Sequence, residues 1–95
     1  MDYNSGRWKH KRKYILKRDK YTDQVEARYG RTEEATIVHH IYPAKDYPEY
    51  EWDNDNLISV SVKTHNRLHI RNSDELSEEG LALMRRTKLR RKKND

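Results

Sequence analysis

The chain contains no cysteine, no phenylalanine and no long apolar run. Without cysteine, neither a disulfide framework nor a thiolate zinc knuckle can form, and nothing indicates an oxidising compartment. No segment approaches the length of a membrane span, and residues 1–13 lack the hydrophobic stretch of a secretory signal. We therefore expect a soluble cytoplasmic protein with no membrane partner.

Apolar residues are scarce in general, since 33% of the 95 residues are hydrophobic and 39% are charged. Such a short chain buries little apolar surface, so something besides a large core must help to hold the fold. There is no internal repeat and no linker rich in proline, glycine or serine. We predict a single domain over residues 1–95.

Positive charge, by contrast, is abundant and lies at the two ends of the chain. The net charge is +5, and of the 21 Lys and Arg residues seven lie in 7–18 and seven in 85–93. Basic clusters suit a polyanion because each neutralised phosphate releases condensed counterions, although charge runs also form solvated helix faces. Nucleic acid is the leading partner, and the first cluster supplies candidate phosphate contacts at Arg7, Lys9, Lys11, Arg12, Lys13, Lys17 and Arg18.

Both ends of the chain are predicted to be helical. Apolar residues at helical spacing after an N-cap at Ser5 predict a basic helix over residues 6–19. Ser73 and Asp74 can cap a last helix with a partial apolar stripe, which together with its basic tail spans residues 74–95.

The segment between these helices is predicted to contain two short strands. Residues 24–29 alternate imperfectly and indicate a short strand or turn, whereas the β-branched cluster in 35–41 indicates a strand. Residues 42–52 carry two prolines and indicate an ordered loop, and residues 57–62 indicate a second strand. With a following helix at 65–69, the expected architecture is an α+β fold built on a ββα unit.

Four of the five histidines occur in two close groups, at His39 with His40 and at His65 with His69. Neighbours in a strand point to opposite faces, so one of the first pair can bind a metal while the other stays free. His65 and His69 are one helical turn apart and can converge on one ion. With His39 they make three ligands and leave coordination positions open.

An open metal site beside an unliganded histidine is suited to phosphodiester hydrolysis. The ion would neutralise charge on the scissile phosphate, while His40 would deprotonate a water molecule. Asp53 and Asp55 lie nearby in sequence as competitors for these roles. Spacing alone also allows a structural zinc site or a chance cluster of surface histidines.

Three motifs in a fixed order carry a family resemblance: VHHIYP at 38–43, DNL at 55–57 and THNRLH at 64–69, preceded by RDKY at 18–21. In this combination the chain resembles the small, phage-type HNH endonucleases. The resemblance covers about the central half of the chain and the basic helix before it. It implies a ββα-metal core over about residues 18–72.

Residue by residue, the resemblance implies that His39 and His65 are metal ligands and that His40 is the general base. His69 matches a further ligand found in some members, with phosphate contact as its alternative role. Asn56 matches the central Asn, which is expected to hold the loop and orient the base, although Asn is also a common turn former.

The resemblance also implies one divalent cofactor (Mg, Mn, Ni or Zn), cleavage of DNA to a 5′-phosphate and a 3′-hydroxyl, and weak sequence specificity. Asn66 and Arg67 are further candidates for contact with the phosphate backbone. The implied setting is a bacteriophage or prophage in the cytoplasm of a bacterial host, beside the packaging terminase. The alternatives are a DNA-binding module with a degenerate HNH site and a structural metal-binding adaptor.

One departure from the family pattern concerns structural zinc. Many relatives carry two Cys-x-x-Cys pairs around the catalytic unit, and the aligned positions here are Asp23 and Glu26, then Ser61 and Thr64. These oxygen ligands suit zinc poorly, although they could bind a harder ion. Hydrogen bonding between the acids and the hydroxyls is the expected substitute, and Trp8 with the other aromatics is expected to enlarge the core.

Overall fold

The computed structural model describes residues 1–89, so the last part of the predicted basic tail lies outside the described residues. The elements are α1 (Gly6–Arg18), α2 (Gln24–Ala27), β1 (Ile37–His40), β2 (Leu57–Val60), α3 (Val62–Leu68) and α4 (Glu78–Arg86). Single 3₁₀ turns occupy Pro48–Tyr50 and Asn54–Asn56. The predicted α+β class with a ββα unit is confirmed. No helix within residues 1–89 has both the length and the apolar character needed to cross a bilayer.

Helix α1 forms where the pattern predicts it. The Oγ of Ser5 accepts a hydrogen bond from the backbone N–H of Trp8 at 3.1 Å, which satisfies one of the unpaired donors of the first turn. Trp8, Ile15 and Leu16 are buried and pack with Val38 and Leu57 of the two strands. The basic side chains therefore cover the remaining faces of the helix.

Strands β1 and β2 form an antiparallel pair in which Ile37 is opposite Val60 and His40 is opposite Leu57. Because side chains alternate along a strand, His40 lies on the face that packs against α1, and His39 lies on the opposite face. Val60 on that second face belongs to a cluster with Val25, Ile41, Leu68 and Leu83. The strand pair thus separates the two histidines between two layers of the fold.

Four local predictions were wrong, namely those for residues 24–29, for the end of β2, for the helix at 65–69 and for the start of the last helix. Helix α3 spans Val62–Leu68, and His69 follows it in extended backbone. Residues 24–27 form a short helix because Asp23 Oδ1 accepts hydrogen bonds from the N–H groups of Val25 and Glu26, each at 2.9 Å. Strand β2 ends at Val60, since the Oγ of Ser61 caps α3 by accepting from the N–H of Thr64.

The last helix starts at Glu78 rather than after Ser73 and Asp74, and its N-cap is Ser77. The residues before it are held in an extended hairpin, in which His69 pairs with Leu76 and the N–H of Ile70 donates to the Glu75 carbonyl at 2.8 Å. Helix α4 then crosses the end of α3 so closely that a Cβ on Gly80 would lie 2.1 Å from the carbonyl oxygen of Leu68. Only glycine fits at that crossing.

Two of the positions aligned with the absent thiols, Asp23 and Glu26, belong to a network of hydrogen bonds and ion pairs, here called the carboxylate network (Asp23, Glu26, Arg31 and Arg67). Asp23 is fully buried, and its Oδ2 accepts a hydrogen bond from the N–H of Ser61 at 2.8 Å. Burial raises the pKa of Asp23, but hydrogen bonds from the N–H groups of Ser61 and Glu26 and from the side chains of Thr64 and Ser61 together outweigh burial and lower that pKa.

Glu26 completes the network, because Arg31 and Arg67 each pair with one of its carboxylate oxygens, Arg67 at 2.8 Å. Hydrogen bonds from Arg31 and then Arg67 lower the pKa of Glu26. The expected substitute for zinc is hydrogen bonding between the acids and the hydroxyls. The side chains of Thr64 and Ser61 do interact with the Asp23 carboxylate in this way, after its backbone N–H donors, whereas Glu26 pairs with guanidinium groups.

Candidate active site

Three histidines from two elements converge on one point. His39 lies on β1, His65 lies within α3, and His69 is the residue that caps the C-terminus of α3. One ring nitrogen from each lies within 4.8 Å of the others, and the ring centroids are 4.6–5.5 Å apart. Across residues 1–89 no other group of acids and histidines is arranged for a metal ion, and Asp53 and Asp55 are outside this one.

The chemistry of the three rings suits a divalent metal ion. The ring of His39 is 2% exposed, and its Nε2 makes no hydrogen bond with any part of the described chain. Burial, followed by the proximity of His65 and His69, holds the pKa of His39 well below its usual range. Burial also lowers the pKa of His65. The two rings are therefore neutral near pH 7, which is the form that donates a lone pair to a metal.

His69 is oriented by a backbone carbonyl. Its Nδ1 lies 3.1 Å from the carbonyl oxygen of Asp74. A carbonyl can only accept, so Nδ1 carries the proton and the lone pair is on Nε2. Contacts of this kind fix the tautomer of metal-binding histidines and orient their rings.

His40, on the other face of β1, is outside this group of ligands. Its Nε2 lies 3.0 Å from the carbonyl oxygen of Glu51, so Nε2 carries the proton and Nδ1 can accept one. Burial lowers the pKa of His40 although the hydrogen bond to Glu51 opposes that shift. The imidazole ring also stacks on the indole of Trp8, with the centroids 5.3 Å apart and the planes at 18°. The site therefore contains a neutral histidine with an accepting nitrogen.

Asn56 is fully buried between the strands and the loop that follows β1. Its Oδ1 accepts from the N–H of Tyr42 at 2.7 Å, and its Nδ2 donates to the carbonyls of Tyr42 and Tyr50 at 3.0 and 3.1 Å. Asn56 thus closes the loop at both ends. Glu51, whose carbonyl binds His40, directly follows Tyr50 in this loop.

The four histidines line one cleft with a volume of about 700 Å³. The cleft also contains Lys45, whose Nζ pairs with Asp74 at 3.2 Å and with Glu75 at 2.9 Å. The cleft is thus wide enough to admit a substrate group beside the histidines.

The basic residues of α1 divide into two sets. Four of the seven predicted phosphate contacts make contacts within the protein. Arg7 lies 3.8 Å from the ring centroid of Trp52. The other three donate hydrogen bonds of 2.6–2.8 Å to oxygen atoms near the strands. Lys11 binds Asn54 Oδ1, Arg12 binds the Thr36 carbonyl, and Arg18 binds the Asn54 and Leu57 carbonyls. These four side chains attach α1 to the rest of the fold.

The remaining three, Lys9, Lys13 and Lys17, are four residues apart and form one exposed row, here called the lysine stripe. Their ammonium groups make no ion pair or hydrogen bond within residues 1–89. Asn66 is likewise exposed. Arg67 is paired with Glu26 of the carboxylate network and, at 3.3 Å, with Glu79.

Sequence reasoning missed three parts of this site: the carbonyls of Glu51 and Asp74, and the indole of Trp8. A backbone carbonyl has no signature in the sequence, since every residue carries one. Trp8 had a signal, because it is the large aromatic of α1, but its spacing with Ile15 and Leu16 indicated only a core position.

Comparison with known proteins adds one likeness. The chain matches no protein-family model and no curated protein. Among solved structures it is similar to the crystal structure, with manganese ion, of the HNH endonuclease of the deep-sea thermophilic bacteriophage GVE2. The two are 34% identical over 68% of this chain and 71% of that chain, with a TM-score of 0.66.

Proposed function

The chain belongs to the HNH endonuclease family, and from that membership we propose that residues 1–95 act as one metal-dependent nuclease domain that hydrolyses DNA. The observation that carries this proposal is the arrangement of the four histidines in the cleft. Three of them present ring nitrogens to one point, while His40 lines the same cleft with a nitrogen that can accept a proton.

In the proposed reaction His40 acts as the general base through Nδ1. As it removes a proton from water, the water oxygen attacks the phosphorus and the bond from phosphorus to the 3′ oxygen breaks. The departing 3′ oxygen takes a proton from solvent, which leaves a 5′-phosphate and a 3′-hydroxyl. The carbonyl of Glu51 stays bound to Nε2–H and stabilises the imidazolium that forms. Asn56 acts by holding the loop that carries this carbonyl.

His39, His65 and His69 are proposed to hold the cofactor. A divalent ion bound there (Mg, Mn, Ni or Zn) supplies positive charge to the scissile phosphate and to the leaving oxygen. The neighbouring protein of known structure carries manganese, which supports a divalent ion in this chain.

DNA binding is proposed to use the lysine stripe and Asn66, because these side chains are exposed and their polar groups are not engaged elsewhere in the described chain. Contacts of this kind reach phosphates and carry no base information, which supports weak sequence specificity. The arginines of α1 and Arg67 contribute by stabilising the fold around the cleft.

The proposed setting is the cytoplasm of a bacterial cell that carries a phage or prophage, with packaging proteins such as the terminase as partners. Support for this setting comes from the neighbour of known structure, which is a bacteriophage protein.

The test is nicking of supercoiled plasmid by protein first stripped of metal and then given Mg, Mn, Ni or Zn. We expect cleavage that requires a metal and is lost in His40→Ala, with the affinity for DNA nearly unchanged. The exposed His10 of α1 provides the matched control, and His10→Ala should cut like the wild type.

Two results would replace the proposal. DNA binding with no cleavage under any metal indicates a binding module with a degenerate site. Metal binding without affinity for DNA indicates a structural adaptor.

A further inference from the structure

Three contacts orient the His40 ring: a hydrogen bond to the Glu51 carbonyl, the stacked indole of Trp8, and the ring of Tyr3, which meets it edge-on at the longer distance of 6.3 Å. The hydrogen bond from Nε2 to the Glu51 carbonyl lies along one direction in the ring plane. One such bond leaves the ring able to rock about the line that joins nitrogen and oxygen. The stacked indole of Trp8, at 18° to the imidazole plane, blocks that rocking.

Trp8 is itself held firmly. The residue is 4% exposed, and its rings meet Tyr3 edge-on at 5.4 Å and Trp52 at 6.2 Å. The Ser5 cap binds its backbone N–H, and Arg7 lies over Trp52. The indole is therefore a rigid surface against which a neighbouring ring can be aligned.

These contacts are more specific than core packing requires. A side chain that only fills space can be replaced by another apolar group of similar volume, whereas a near-parallel stack needs a flat ring. The ring contacts of Trp8 in the described chain are with Tyr3, His40 and Trp52, so none of the three converging histidines stacks on it.

We infer that Trp8 is a positioning residue that fixes the ring plane of His40 so that Nδ1 is aligned with the attacking water. Helix α1 thereby becomes part of the catalytic apparatus as well as a basic surface. This inference rests on the proposed function, because it assigns Trp8 to the reaction proposed for His40.

The test compares Trp8→Phe, which keeps a flat ring, with Trp8→Met, which keeps apolar volume without one. At saturating DNA and metal, we expect Trp8→Phe to retain most of the nicking rate and Trp8→Met to lose about tenfold or more, since misplacement by about 1 Å can cost about 100-fold. KM for DNA and the affinity for Mn should stay close to the wild-type values in both variants. Leu16→Ala, a truncation in the same apolar cluster, should reduce stability without this loss of rate.

A second measurement does not depend on activity. In the NMR spectrum of the wild type, ring-current shielding by the indole should move the His40 ring protons upfield of those of the exposed His10, and Trp8→Met should remove that displacement. The NMR measurement remains informative if Trp8→Met folds poorly, because the wild-type spectrum alone tests the stack. His40 ring protons without an upfield displacement would show that the rings do not stack.

Three results would overturn the inference: wild-type rates in Trp8→Met, equal losses in the Phe and Met variants, or unshielded His40 protons in the wild type. Failure of the wild type to cut DNA with any of the four metals is a different result. It refutes the proposed nuclease, and the role of Trp8 falls with it.

Discussion

Replacing Asn56 with alanine should destabilise the protein strongly, since the amide closes the loop between β1 and β2. Asn56→Ala removes three hydrogen bonds in a fully buried position, two with Tyr42 and one with Tyr50. At about 1 kcal/mol net for each bond, the expected loss is about 3 kcal/mol in the free energy of unfolding. For a chain of this length that corresponds to a fall in Tm of about 12–24 °C.

Urea unfolding of the metal-free protein, followed by circular dichroism, measures this loss directly. The control is Asn54→Ala, whose side chain is exposed and binds only Lys11, and it should change stability by less than about 0.5 kcal/mol. Asn56→Asp adds a second check. The aspartate keeps an acceptor for the Tyr42 N–H, but its second oxygen replaces the NH₂ donor and repels the carbonyl oxygens of Tyr42 and Tyr50. The variant should therefore be less stable than the wild type at neutral pH and should recover stability as the carboxyl protonates. A loss below about 1 kcal/mol in Asn56→Ala would refute the reasoning.

The other predictions concern the metal, acid, packing and DNA. Mn at about 100 times its Kd should stabilise the protein by about 2.7 kcal/mol in a thermal-shift assay, and His39→Ala should abolish that gain. The pKa of His39 in the folded protein lies below its unfolded value of 6.5, so the unfolded state binds more protons in acid. Metal-free stability should therefore fall as pH drops below 6.5, by up to about 1.4 kcal/mol per pH unit from this group, and a Tm that is flat from pH 7 to 5 would contradict this. Gly80→Ala should cost about 2–3 kcal/mol in urea unfolding, because its Cβ would meet the Leu68 carbonyl. Log K for DNA falls as log salt rises, and replacing the lysine stripe with alanines should make this negative slope shallower by about 2–3 units. Arg12→Ala should leave the slope nearly unchanged.

The histidine pattern allowed the family and the fold class to be predicted without a structure. The motifs around His39, Asn56 and His65 occur in a combination that few unrelated chains share, and the resemblance they carry is confirmed. Their spacing also placed His39, His65 and His69 near one another, and the structure brings them within 4.8 Å. Their role as ligands stays a prediction.

Local boundaries were harder to predict because they depend on single hydrogen bonds. The sequence predicts the cap of the last helix at Ser73 and Asp74, whereas the N-cap is Ser77. The later start follows from the pairing of His69 with Leu76, a contact that no local pattern reports. In the same way, the basic residues of α1 divide into an attached set, which includes Lys11, and the exposed lysine stripe. That division depends on which oxygen atoms and rings of the rest of the fold lie within reach.

The carboxylate network changes the conditions under which this scaffold is vulnerable. Thiolate zinc sites are lost to chelators, oxidants and alkylating agents, none of which acts on the carboxylates of Asp23 and Glu26. Both carboxyl groups have pKa values below their ordinary ones, so they stabilise the fold above about pH 4.5 and lose that effect as acid protonates them. The scaffold is therefore insensitive to oxidants and chelators but sensitive to strong acid, and on the proposed function removal of the metal would end cleavage while the carboxylate network stays intact.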